Sequence, residues 1–131
     1  MIGLDTNVLV RYIMQDDAKQ SPQATKLMES LDTDQPGFVS LVSIVELYWV
    51  LTSCYDLSGQ QVKQALESLL RTKQVIVDRA DQVLRALRVF DDGKADFADC
   101  LIERTASSAG CTETMTFDVG AAKHAGMRLI R

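Results

Sequence analysis

Phe38-Val39-Ser40-Leu41-Val42-Ser43-Ile44-Val45-Glu46-Leu47-Tyr48-Trp49-Val50-Leu51-Thr52-Ser53-Cys54-Tyr55 decides the fold. Phe38 and Val39 read as a short strand. Ser40 reads as the N-cap of a helix that follows at once, with its hydroxyl meeting the first free N–H groups. A strand running directly into a helix is the unit from which α/β domains are built. The helix carries one charge, Glu46, among apolar residues on nearly every side, so the sequence predicts a helix buried over most of its surface. An ionised carboxylate there needs a cation or hydrogen-bond donors to offset its burial. The stretch is long enough to suggest a membrane span, but Glu46 and the Ser and Thr residues make a buried helix of a soluble domain the better reading.

Outward from this stretch the pattern repeats. Residues 1–5 form an apolar run ending in Asp5. Thr6 or Asn7 then caps a helix whose Val8, Leu9, Tyr12 and Ile13 make one apolar stripe. Ser21-Pro22 reads as a helix start. Ser58 and Gln61 make a capping box before a helix with Val62, Ala65, Leu66, Leu69 and Leu70 on one face. Val75-Ile76-Val77 is a β-branched strand, and Asp78 is the expected cap of the next helix, with Val83, Leu84, Leu87 and Phe90 facing in. Asp91-Asp92-Gly93-Lys94 reads as a turn. Asp96 opens a helix to about Ala109, which Gly110 closes. Residues 114–117 are a strand followed by Asp118, a short helix follows, and residues 127–130 make the last strand. Alternating strands and helices over 131 residues predict one α/β domain with a mainly parallel sheet.

Composition narrows the chemistry. One histidine and three scattered cysteines without a C-x-x-C pair argue against a zinc site and for free thiols in a reducing compartment, hence the cytoplasm. The chain opens directly with Met-Ile-Gly-Leu-Asp, without the pattern of a signal peptide. A net charge of −4 speaks against nucleic-acid binding through bulk charge. It leaves room for a site in which metal ions supply the positive charge.

The carboxylates supply the reason for such a metal. In parallel α/β sheets, sites form beyond the C-terminal ends of the strands. Asp5 and Asp118 each end a strand there. Glu46 and Asp99 lie one to two turns into helices that follow, and Asp96 and Glu103 share the face of Asp99. Acids gathered at one edge without a basic partner call for a cation. Oxygen donors suit Mg²⁺ or Mn²⁺. Each acid also has a local reading: Ser43 and Glu46 match a capping box, Asp96 is cap-like, and Asp5 and Asp118 each begin a loop.

Four segments carry a resemblance. Ile2-Gly3-Leu4-Asp5-Thr6-Asn7-Val8-Leu9 resembles the opening of PIN-domain proteins. Ser40-Leu41-Val42-Ser43-Ile44-Val45-Glu46-Leu47 is similar to their second motif, and Asp96-Phe97-Ala98-Asp99-Cys100-Leu101-Ile102 to their third. Thr116-Phe117-Asp118, with Ala121-Ala122-Lys123 and residues 126–130, resembles the closing stretch. The four occur in family order over almost the whole chain, and the subgroup most similar is the VapC-like toxins of toxin–antitoxin pairs.

The resemblance implies an α/β/α sandwich around a parallel sheet of about five strands, and a single PIN domain over residues 1–131. It implies a Mg²⁺- or Mn²⁺-dependent endoribonuclease whose catalytic, metal-binding acids are Asp5, Glu46, Asp99 and Asp118, with Asp96 as an additional ligand. It also implies an RNA substrate, a homodimer and a small VapB-like antitoxin partner, with no membrane. Thr6, Asn7 and Thr116 are candidates to orient ligands or a scissile phosphate. Val119 departs from the Lys or Arg common at that position.

Two other readings compete. A phosphoaspartate enzyme or receiver domain also places an Asp after its first strand. It needs a second acid beside that Asp and a Lys after a late strand, and Asp5-Thr6-Asn7 and Thr116-Phe117-Asp118 supply neither. The second is a catalytically inactive PIN-like module that binds RNA or protein, against which the presence of all four acids argues.

Overall fold

The computed structural model describes residues 1–91 and 94–131. Asp92 and Gly93, the centre of the expected turn, lie outside the described residues. The chain divides into two compact units, Met1–Asp78 and Arg79–Arg131.

In the first unit, β1 (Ile2–Gly3), β2 (Gly37–Val39) and β3 (Val75–Val77) form a parallel sheet in the order β1-β2-β3. Ile2 pairs with Gly37, and Gly37 pairs in turn with Val75. Parallel neighbours need long crossovers, and helices supply them. Helices α1 (Thr6–Met14) and α2 (Gln20–Ser30) connect β1 to β2, and α3 (Leu41–Ser53) and α4 (Gly59–Leu70) connect β2 to β3. Leu9, Val39, Ile44, Leu47, Leu51, Val62 and Leu66 are the deepest side chains of its core.

In the second unit, α5 (Ala80–Phe90) packs on α6 (Phe97–Ser108), and β4 (Met115–Thr116), α7 (Val119–His124) and β5 (Arg128–Leu129) follow. β4 and β5 pair in parallel, Met115 with Arg128. Phe97 is fully buried and meets Phe90 edge-on, with ring centroids 6.0 Å apart. Gly110, at φ +101°, closes α6 in the left-handed conformation that a helix C-terminus favours. The α/β class and parallel pairing follow the sequence expectation. In place of one sheet of about five strands, the described residues form a three-stranded parallel sheet and a separate two-stranded parallel one.

Local signals hold where the cap lies beside its helix. Ser40 accepts the Ser43 N–H at 3.2 Å, and Ser58 and Gln61 form the complete capping box. Three helix starts differ from expectation. Asp5, not Thr6 or Asn7, caps α1: it keeps extended backbone angles after the strand and accepts the Thr6 N–H at 2.7 Å. α2 begins at Gln20, before Ser21; Asp17 accepts the N–H groups of Lys19 and Gln20, while Ser21 accepts the Asp17 N–H. Asp78 does not cap α5: its N–H donates to the Val39 carbonyl, and Arg79 takes the cap position at φ 53° without a side-chain bond.

The largest correction concerns α3. It buries one face, through Ser43, Ile44, Leu47 and Leu51. Val42, Val45 and Trp49 are exposed, as is Glu46. Apolar residues all around a helix do not fix which of them the sheet and its neighbours cover. Glu46 therefore has no burial cost to offset, and Trp49 lies outside the core.

Candidate active site

Asp5 stands at the junction of β1 and α1, and its carboxylate is both strand end and helix cap. The cap bond occupies Oδ1. Thr6, the first residue of α1, is buried, and its hydroxyl donates to Glu46 Oε1 at 2.5 Å. This bond spans forty positions of sequence and brings the first motif to the second. Asp5, Thr6, Asn7 and Glu46 line one open cleft of about 470 Å³, whose other walls are Val10, Arg11, Val50, Cys54 and Tyr55. Thr6 thus acts through Glu46, holding its carboxylate in one orientation, while Asn7 is exposed on the cleft.

The second unit gathers the other acids. Asp96 caps α6 by accepting the Asp99 N–H at 3.1 Å. Asp118 caps α7 by accepting the Ala121 N–H at 2.8 Å, and its own N–H donates to Thr116 Oγ1. Partial desolvation, then the negative charges of Asp96 and Asp118, push the Asp99 carboxyl above its ordinary range. Asp99 is thus close enough to feel both neighbours. Glu103, expected on the same face, is engaged by Arg104 in an ion pair.

The sequence left capping and metal binding as rival readings for these acids, yet the cap geometry is compatible with both. Asp5, Asp96 and Asp118 each give one oxygen to a helix N–H, and among the described residues no hydrogen bond takes the other. The donors are oxygen throughout, which fits a hard divalent cation with part of its water shell retained. Among the described residues, no three His, Cys, Asp or Glu side chains form one ready-made metal-binding group. The structure thus pairs Asp5 with Glu46 on one cleft, and couples Asp96, Asp99 and Asp118 in the other unit.

One feature of the cleft was not read from the sequence. Arg11 Nη1 donates to Asp16 and to the Tyr55 hydroxyl, both at 3.2 Å, and Nε donates to Gln20 at 2.8 Å. The Tyr55 hydroxyl donates to the second oxygen of Asp16 at 2.7 Å, and this bond foremost holds the Asp16 carboxyl below its ordinary range. Asp16 follows Arg11 closely enough to have hinted at a pair. Tyr55 arrives only through the fold.

The cysteines are free, as their spacing implied. Burial, reinforced by Asp96 and Asp99, pushes the Cys100 thiol up to about 11, whereas Cys54 and Cys111 are exposed. A thiol reagent is therefore expected to titrate two cysteines in the native protein and the third only after denaturation. Fast reaction of all three without denaturant would contradict the burial of α6.

With strand ends and helix starts supplying acids in both units, the chain has the architecture of a parallel α/β protein with oxygen-donor chemistry. It belongs to the PIN-domain family, whose model matches residues 2–127 and so spans both units. PIN domains are commonly nucleases, generally bind divalent metals, and as nucleases bind RNA. No curated protein matches the chain in sequence. No described helix is long and apolar enough to cross a membrane.

Proposed function

We propose that this chain is a Mg²⁺- or Mn²⁺-dependent endoribonuclease, that residues 1–131 work as a single PIN domain, and that it acts as the toxin of a VapBC-like pair. The observation that carries the nuclease reading is the Thr6–Glu46 bond beside Asp5, which sets two of the four motif acids on one open cleft. The order of all four motifs, similar to that of VapC-like toxins, supports the toxin role, a VapB-like antitoxin partner and a homodimer, and the free cysteines support a cytoplasmic location.

In this reading Asp5, Glu46, Asp99 and Asp118 would hold the ion, with Asp96 as an additional ligand, and a bound ion would lower the pKa of a water and offset charge on the departing oxygen. The protein contributes rigidity. Thr6 fixes the Glu46 carboxylate, leaving Oε2 to the cleft. The cap bonds fix Asp5, Asp96 and Asp118, so little conformational freedom is lost when a ligand arrives. Thr116 steadies the backbone at Asp118, and Asn7, which lines the cleft, is the group assigned to a phosphate oxygen.

Purified protein is expected to cleave single-stranded RNA with Mn²⁺ and to stop in EDTA. Asp5→Asn keeps a good cap and hence the fold. It is expected to cleave about 100-fold more slowly or worse, the loss of several kcal/mol of charge stabilisation. Wild-type rates in this variant sink the assignment, and a wild-type protein that binds RNA in Mn²⁺ without cutting it is a binding module instead.

A further inference from the structure

We propose that Arg11, braced by Tyr55, Asp16 and Gln20, is a phosphate-binding subsite for single-stranded RNA in the cleft that holds Asp5 and Glu46. The proposal rests on the nuclease reading, which puts the scissile phosphate at the acids.

The cleft is built by two helices that pack against each other, α1 and α3. Thr6, Asn7, Val10 and Arg11 come from α1, and Glu46, Val50 and Cys54 from α3, with Tyr55 just beyond its end. The cross-links fix the direction: Thr6 meets Glu46 at one end, and Arg11 meets Tyr55 at the other. Acids therefore stand at one end and a cation at the other. Five residues of helix separate Thr6 from Arg11, about 7.5 Å of rise. That is on the scale of neighbouring phosphates in an extended RNA strand. Val10, Val50 and Cys54 wall the space between the two ends.

The bracing uses two of the three nitrogens. Nε and Nη1 of Arg11 are committed to Gln20, Asp16 and Tyr55, and among the described residues no hydrogen bond takes Nη2. The guanidinium is thus anchored through two of its three nitrogens and offers the third, Nη2, with its two N–H groups. An ion pair this exposed adds little to stability. Ordering a long side chain by three partners also costs entropy. What the arrangement gains is preorganisation, a guanidinium already aimed when a phosphate arrives. Arg suits this role because its planar fork can serve two acceptors at once. In a chain of net charge −4, a placed cation in the cleft also offsets the repulsion an RNA strand meets on approach.

The test uses the full chain with a fluorescent mixed-sequence single-stranded RNA. Binding is measured in Ca²⁺ over a range of salt, and cleavage is measured in Mn²⁺. Arg11→Gln is expected to flatten the dependence of log affinity on log salt by about 0.7, the mark of one lost phosphate contact on a single strand. It is expected to raise KM about tenfold or more while kcat changes by less than about twofold, as for a lost hydrogen bond to a charged group. Arg11→Lys is expected to restore the salt slope, because it keeps the charge while losing the brace. An unchanged slope in Arg11→Gln, or a slope that Lys fails to restore, overturns the subsite. In that case the cluster only ties the end of α1 to Tyr55 or faces a protein. If Arg11→Gln does not fold, Arg11→Met takes its place: a slope flattened by about 0.7 supports the subsite, and an unchanged slope overturns it. The binding arm needs no cleavage, so an inactive wild type would refute the nuclease reading while the slope still judged Arg11.

Discussion

Asp99→Asn is expected to cut RNA about 100-fold more slowly or worse, while melting at or above the wild-type temperature in EDTA near neutral pH. The two halves of this result have one cause. Asp99 sits partly desolvated beside Asp96 and Asp118, and its carboxyl is pushed above the ordinary range. A raised carboxyl binds its proton more readily in the folded than in the unfolded chain. Its contribution to stability is therefore complete below the unfolded pKa and is lost as pH rises through the folded one. Near neutrality the ionised group is a burden to the metal-free fold, and the uncharged amide removes it. The backbone N–H that Asp99 gives to Asp96 is untouched by the change, so α6 keeps its cap. Lowering the pH into the carboxylate range should shrink the difference in melting temperature, because the wild-type group is then protonated too. A variant that lost activity and stability together would argue that Asp99 is a structural residue.

The elements that carry the candidate acids were easier to read than their surroundings. The signals that held were local or ordered: Ser40, Ser58 with Gln61, and Asp96 each cap a helix through a bond spanning three residues. The acids were legible because strand ends and helix starts are legible, and those are the places where parallel α/β proteins keep their chemistry. Other features depended on tertiary choice. Nothing in the apolar run of α3 distinguishes Ile44, which is buried, from Val42, which is 74% exposed. Both are β-branched, and their positions on the helix become meaningful only once the sheet is in place. The Tyr55–Asp16 bond joins residues 39 apart, and no spacing rule reaches that far. The expectation that Glu46 is buried failed for the same reason, although its membership of the cleft did not depend on burial. Thr6, a cap candidate from the sequence, proved to be the link that sets Glu46 in place.

Phe97→Ala is the substitution expected to cost most stability, about 3–5 kcal/mol. Phe97 is the first residue of α6, fully buried, with its ring edge-on to Phe90. Truncation removes apolar area, leaves a cavity, and forfeits an aromatic pair that adds roughly 1 kcal/mol beyond its area. Against a total stability of about 5–15 kcal/mol for an ordinary domain, this is a large share, and the melting temperature is expected to fall by roughly 10 °C or more. Urea denaturation followed by circular dichroism measures the loss directly. The position of the ring gives the variant a second consequence. Phe97 lies between Asp96 and Asp99 in the first turn of α6, and its anchorage holds that turn against α5. Loosening it frees both carboxylates, so cleavage should weaken even at temperatures where the variant remains folded. Phe97→Leu keeps most of the buried volume and should recover most of the stability. If Leu restores stability and cleavage together, the ring serves as an anchor for the acids. If Phe97→Ala costs less than about 1 kcal/mol, the turn is held by something other than this core contact, and the placement of Asp96 and Asp99 needs another physical cause.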